Sequence, residues 1–217
     1  MSIKKSIMCA LLFALSFLSP ANATVITFSS LSDSHSIFFS TTHDGASLLG
    51  SVDLTLTSWT ATEAVFSVSV SNNSFGPGTN RLMSFGIEVV TPTLTGASGS
   101  GDWDADIDTT LPSLSKVDLC IFSSTGCPGG DIKDGLGEGE SDVFTLTLTS
   151  LGDFTDGISF TSPYGVKFQD VGLSGESYEF TACTRTEECS HDVPEPATLI
   201  LVGLGLLGAA ATWRRQA

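Results

Sequence analysis

Apolar and polar residues alternate one by one along much of the chain. From Ser51 to Trp59, Val52, Leu54 and Leu56 point one way while Asp53, Thr55 and Thr57 point the other. Ala64–Val70 repeats this with Phe66, Val68 and Val70 against Ser67 and Ser69. Asp142–Leu151 repeats it again with Phe144, Leu146 and Leu148 against Thr145, Thr147 and Thr149. Successive strand residues face opposite sides, so this period predicts antiparallel strands with one wet face. Further strands are expected at Val25–Ser29, Ser36–Phe39, Leu82–Val90, Lys116–Phe122, Ile158–Phe160, Val166–Val171 and Tyr178–Ala182. Turn-forming stretches separate them at Asn72–Gly78, Gly96–Gly101 and the Gly- and Asp-rich Gly126–Gly139. No helical period appears between them. The expected fold is all-β: an antiparallel β-sandwich, jelly-roll-like, over residues 24–186, with a polar linker at 187–193.

Both ends break the pattern. Lys4 and Lys5 precede an apolar run from Ile7 to Leu18, and Ala21-Asn22-Ala23 follows. This order predicts a signal peptide over 1–23, cut before Thr24, with Ala21 and Ala23 at the cleavage site. At the other end, Pro194-Glu195-Pro196 leads into the uncharged run Ala197–Trp213 and then Arg214-Arg215. A helix needs ~17–25 apolar residues to cross a bilayer. A transmembrane helix is therefore expected at 197–213. Its arginines would lie in the cytoplasm and everything before it outside.

Val193-Pro194-Glu195-Pro196, the apolar run and Arg214-Arg215 together resemble the PEP-CTERM sorting signal, here at 194–217. Such tails are also labelled the C-terminal domain of ice-binding proteins, a label that carries no evidence of ice binding. The resemblance implies export, anchoring in the inner membrane by one C-terminal span, and processing by an exosortase near Pro-Glu-Pro. It further implies delivery to the cell surface or the exopolysaccharide matrix. It implies an address and no activity. A second resemblance lies in the body: Val117–Phe122, Gly126–Gly130, Asp142–Leu148, Val166–Gln169 and Ser177–Phe180 are similar to the cistern subgroup of PEP-CTERM proteins. It implies that the Cys120–Cys127 loop is a family feature.

Charge narrows the partners. The whole chain carries −15. Between Thr24 and Pro196 it keeps five of nine Lys and Arg and all 24 Asp and Glu, a net −19. Phosphate backbones need clustered positive charge, so neither nucleic acid nor anionic lipid is an expected partner. A surface protein or a cation binder suits the balance.

Four cysteines lie outside the signal segment: Cys120, Cys127, Cys183 and Cys189. An even number in an exported chain reads as disulfides. Three pairings are open; the two local ones, Cys120–Cys127 and Cys183–Cys189, are favoured because each closes a short loop. The spacings are not those of zinc ribbons.

Asp102, Asp104, Asp106 and Asp108 would line one face if extended, and calcium favours clustered carboxylates. The loop departs from the EF-hand pattern at Ile107 and Ser113, so a solvated acidic loop is the first expectation and calcium the second. Asp131, Asp134, Glu138, Glu140 and Asp142 read first as a mobile, solvated stretch and second as a Gly-rich calcium site that lacks a regular repeat. His35, His43 and His191 accompany no nucleophile motif. Two carboxylates would suffice for a glycosidase, a reading that 24 acidic residues leave open. Trp59 and Trp103 are expected first as packing and second as sugar platforms. The Thr145, Thr147 and Thr149 series is similar to ice-binding faces, but strand propensity explains it equally well. The reading is a non-enzymatic, exported surface protein without a cofactor. Its alternative is a calcium-assisted carbohydrate-binding module.

Overall fold

The computed structural model describes residues 25–182. The signal segment with Ala21 and Ala23, the pair Cys183 and Cys189, the linker and the sorting tail all lie outside the described residues. So does the expected span at 197–213. No helix among the described residues is long and apolar enough to cross a membrane.

The strands are β1 (Val25–Phe28), β2 (Ser34–His43), β3 (Ala46–Trp59), β4 (Glu63–Asn72), β5 (Gly78–Thr91) and β6 (Leu94–Ser98). They continue with β7 (Asp104–Leu111), β8 (Ser115–Phe122), β9 (Glu140–Ser150), β10 (Ile158–Val171) and β11 (Glu176–Thr181). A five-stranded sheet has the order β2-β3-β4-β9-β6. A six-stranded sheet has the order β1-β10-β5-β8-β7, with β11 also on β10. Every pairing in both is antiparallel. β1 takes the Ile158–Thr161 half of β10, and β11 takes the Gly165–Val171 half.

The apolar phase of each alternation meets in one core. Leu54, Phe66, Val68 and Leu146 from one sheet pack with Phe85, Ile121, Phe160 and Phe168 from the other, all essentially inaccessible. Burying each such side chain contributes about 1.5–3 kcal/mol. A second, smaller cluster of Leu111, Val117, Cys120, Phe122 and Cys127 lies apart from it.

The β2–β3 hairpin closes on Asp44-Gly45, at φ of 44° and 82°. Two left-handed residues match the twist of the flanking strands, and Asp-Gly tolerates them at little cost. This dipeptide extends β2 and β3 well beyond the segments that the alternation marks.

Three expectations change. β2, β3 and β4 are successive neighbours in one sheet, a meander unlike the double Greek key of a jelly roll. β10 is one strand where two segments were expected. Pro163, which cannot donate to a ladder, sits at a register irregularity between Thr161 and Gly165. The aspartate stretch, expected as a loop, enters strand β7 from Asp104 onward, with Asp102 in the turn before it.

Candidate functional site

The outer face of the five-stranded sheet is made by the polar phase of the alternation. β2 places Ser34, Ser36, Phe38, Ser40 and Thr42 on it, and β3 places Ser47, Leu49, Ser51, Asp53, Thr55 and Thr57. β4 adds Glu63, Val65, Ser67, Ser69 and Ser71, and β9 adds Ser141, Val143, Thr145, Thr147 and Thr149. The register aligns these in rows. Ser34, Thr55, Ser67 and Thr145 form one; Ser36, Asp53, Ser69 and Val143 form the next; Phe38, Ser51, Ser71 and Ser141 form a third. Neighbouring strands lie about 4.8 Å apart. The face is therefore a lattice of hydroxyls on a backing whose other side is core.

Asp53 and Glu63 are the charges among those positions, in a chain with 24 acidic residues. The Ser34 and Thr55 hydroxyls bond across the strands at 2.9 Å, and Ser36 donates to Asp53. Phe38 and Val143 break the lattice with apolar surface, 54 % and 64 % exposed.

The two tryptophans behave differently. Trp103 is 3 % exposed, stacks on Phe144 with centroids 5.2 Å apart, and donates to Asp142 at 3.1 Å. It is core, with no face free for a sugar. Trp59 would stand on the polar face if β3 kept its register. A bulge between Leu56 and Ser58 instead sets Trp59 opposite buried Ala64, and it packs half-buried against the core.

Asp104, Asp106 and Asp108 are exposed along β7, the outermost strand of its sheet. Charge on such a strand discourages pairing with another chain, a sufficient physical reason for the stretch. Asp108 holds Lys116 at 2.9 Å, and Asp104 accepts from the Gly99 amide at 3.1 Å. Asp102 precedes the strand and lines an open pocket of about 280 Å³ with Arg81, Lys133, Asp134, Glu140 and Asp142. Among the described residues, no group of three or more His, Cys, Asp or Glu side chains is placed to hold a metal.

The second acidic stretch is tied down. Asp131 caps a short 3-10 turn, Asp134 accepts from Ser124 at 3.0 Å, and Glu138 accepts from Asn80 at 2.6 Å. Glu140 accepts from the Gly137 amide at 2.6 Å, close to Arg81. The stretch expected there as a mobile loop is a hydrogen-bonded connection into β9.

Cys120 and Cys127 are bonded, as the shorter loop length favoured. Their loop folds onto β5, where Ser84 donates to the Cys127 carbonyl at 3.0 Å and Ser123 donates to the Met83 carbonyl at 3.1 Å. This cover explains why Leu82–Ile87 is buried on both faces.

Glu88 of β5 lies beside Asp118 of β8. Burial, then the Asp118 charge, then a hydrogen bond to it push the Glu88 carboxyl up. Asp118 also accepts from the Val89 amide at 2.9 Å. A hydrogen-bonded carboxyl pair is closer than the ~5 Å or more that glycoside hydrolysis uses. His35 donates to the Thr27 carbonyl at 2.9 Å, and His43 stacks on Tyr178 with centroids 3.8 Å apart. Asp33 accepts from Ser29 and Ser30, which lowers its carboxyl to about 2. These contacts serve turns and packing.

The described domain thus presents a hydroxyl-rich sheet face. The remaining functional signal is in the tail, where the PEP-CTERM protein-sorting motif model matches residues 192–216. The chain carries a PEP-CTERM motif. The match takes in Val193, Pro194, Glu195, Pro196, Arg214 and Arg215, and it marks the chain as an exosortase substrate sorted to the surface. It ends there, and the cistern resemblance of the body is no part of it. No curated protein and no solved structure matches the PEP-CTERM chain.

Proposed function

We propose that this chain is a non-enzymatic surface protein of structural or interaction type. The β-sandwich works outside the cell, at the surface or in an exopolysaccharide matrix. A single C-terminal span holds it in the inner membrane until an exosortase processes it. The PEP-CTERM motif at 192–216, behind a strand-built acidic domain, carries this reading. Cell fractionation with and without the exosortase tests it. Full-length protein should accumulate in the membrane without the enzyme. With it, mass spectrometry should find a new C-terminus near Pro194–Pro196. Soluble cytosolic protein in both strains would end the reading.

A carbohydrate-binding module is the second reading, favoured by the hydroxyl face and exposed Phe38. Trp103 is no part of its platform. Calcium assistance through Asp102, Asp104, Asp106 and Asp108 is open to titration calorimetry at millimolar calcium. No heat, with a Tm that chelator leaves unmoved, removes the ion from this reading.

A further inference from the structure

We propose that the outer face of β2-β3-β4-β9 binds an extended, uncharged glycan chain, with Phe38 as its stacking platform. The proposal deepens the reading of the domain as a surface interaction module and rests on it.

The chemistry of the face selects the partner. Each hydroxyl both donates and accepts, so a lattice of them satisfies a polymer that does the same. Sugar rings also carry apolar C–H faces, which need apolar contacts between the hydroxyls. Phe38 on β2 and Val143 on β9 supply such contacts, in adjacent rows and three strand spacings apart. Charge selects further. The domain is strongly acidic, yet its charges lie mainly off this face. An anionic polymer meets repulsion from the surroundings and no cation on the face itself. An uncharged one meets neither obstacle.

Shape points the same way. The face is a sheet surface and no pocket, so it suits a chain that runs across it. Its hydroxyls stand on paired strands backed by core, so little freedom remains to be lost on binding. A second copy of this chain fits poorly. Protein interfaces depend on an apolar centre, and Phe38, Leu49, Val65 and Val143 are scattered among hydroxyls.

The test uses the full chain in a sugar-free detergent, run through native gels containing hydroxyethyl cellulose, galactomannan or alginate. At least one neutral polymer should retard it, and anionic alginate should not. Phe38→Ala should weaken the retardation about tenfold, the value of one lost aromatic contact. Thr145→Glu, on another strand, should weaken it as much by placing charge on the face. Thr155→Glu, off the face, should change nothing. Circular dichroism and Tm confirm that each variant folds. Lack of retardation by both neutral polymers, retardation by alginate alone, or unchanged binding by both face variants would overturn the proposal. So would self-association that Thr145→Glu abolishes. Purified protein needs no sorting, so failure here is distinct from failure of the fractionation experiment.

Discussion

Lys167 of β10 donates to Glu179 of β11 at 2.7 Å, and both side chains are only 5 % exposed. Gly129, two residues beyond Cys127, packs against Lys167; a Cβ there would come within 3.1 Å of the Lys167 side chain. Both side chains are buried, so each charge depends on the other. Lys167→Met should destabilise by about 3–5 kcal/mol, because Glu179 is left buried and unpaired. Adding Glu179→Leu should recover most of that loss. Urea unfolding of the single and double variants measures both, and a single variant as stable as the parent refutes the dependence.

Trp103 joins the aspartate stretch to the core. Trp103→Ala should cost about 3–5 kcal/mol, as other large aromatic deletions do. Trp103→Phe keeps the stack on Phe144 but forfeits the bond to Asp142, and should cost about 1 kcal/mol. Chemical denaturation separates the two. Equal losses would mean that the hydrogen bond, and not the ring, dominates.

The Cys120–Cys127 bond closes a short loop, so its chain-entropy contribution is about 2–3 kcal/mol. Replacing both cysteines by serine should lower the urea midpoint accordingly. The far-UV spectrum should hold, because the sheets do not depend on the loop for their pairing. Loss of strand signal would show that the loop is required for the fold itself.

Glu88 titrates above its ordinary 4.5 because it is partly buried beside Asp118. A raised folded-state value means stability that is fully present below the unfolded value and lost as pH rises through the folded one. Glu88→Gln should therefore raise Tm at pH 7, because it removes a carboxyl whose charged form burial and the neighbouring Asp118 disfavour. The gain should vanish below about pH 4.5, where the parent is itself protonated. A gain independent of pH would assign it to packing.

Alternation made β3, β4 and β9 legible because facing is a local property of a strand. Even the outer lattice was visible in part, as Thr145, Thr147 and Thr149. The rest of that face was not read, since its rows exist only once β2, β3, β4 and β9 are in register. Asp44-Gly45 was a readable hairpin signal that the periodicity did not use. β7 was hidden because four aspartates imitate a loop, and Pro163 hid the continuity of β10.

By itself the sequence determined the address and the facing of most strands. A sorting motif is read as a linear segment, and strand facing follows from a period of two. Only the tertiary structure decided that Trp103 is core, that a bulge turns Trp59 inward, and that Lys167 and Glu179 share a dry site. It also decided that β7 is an edge, where its aspartates guard an open ladder. These depend on which distant strands pair and where a register slips. Long-range burial and hydrogen bonding settle such choices, and no local pattern encodes them.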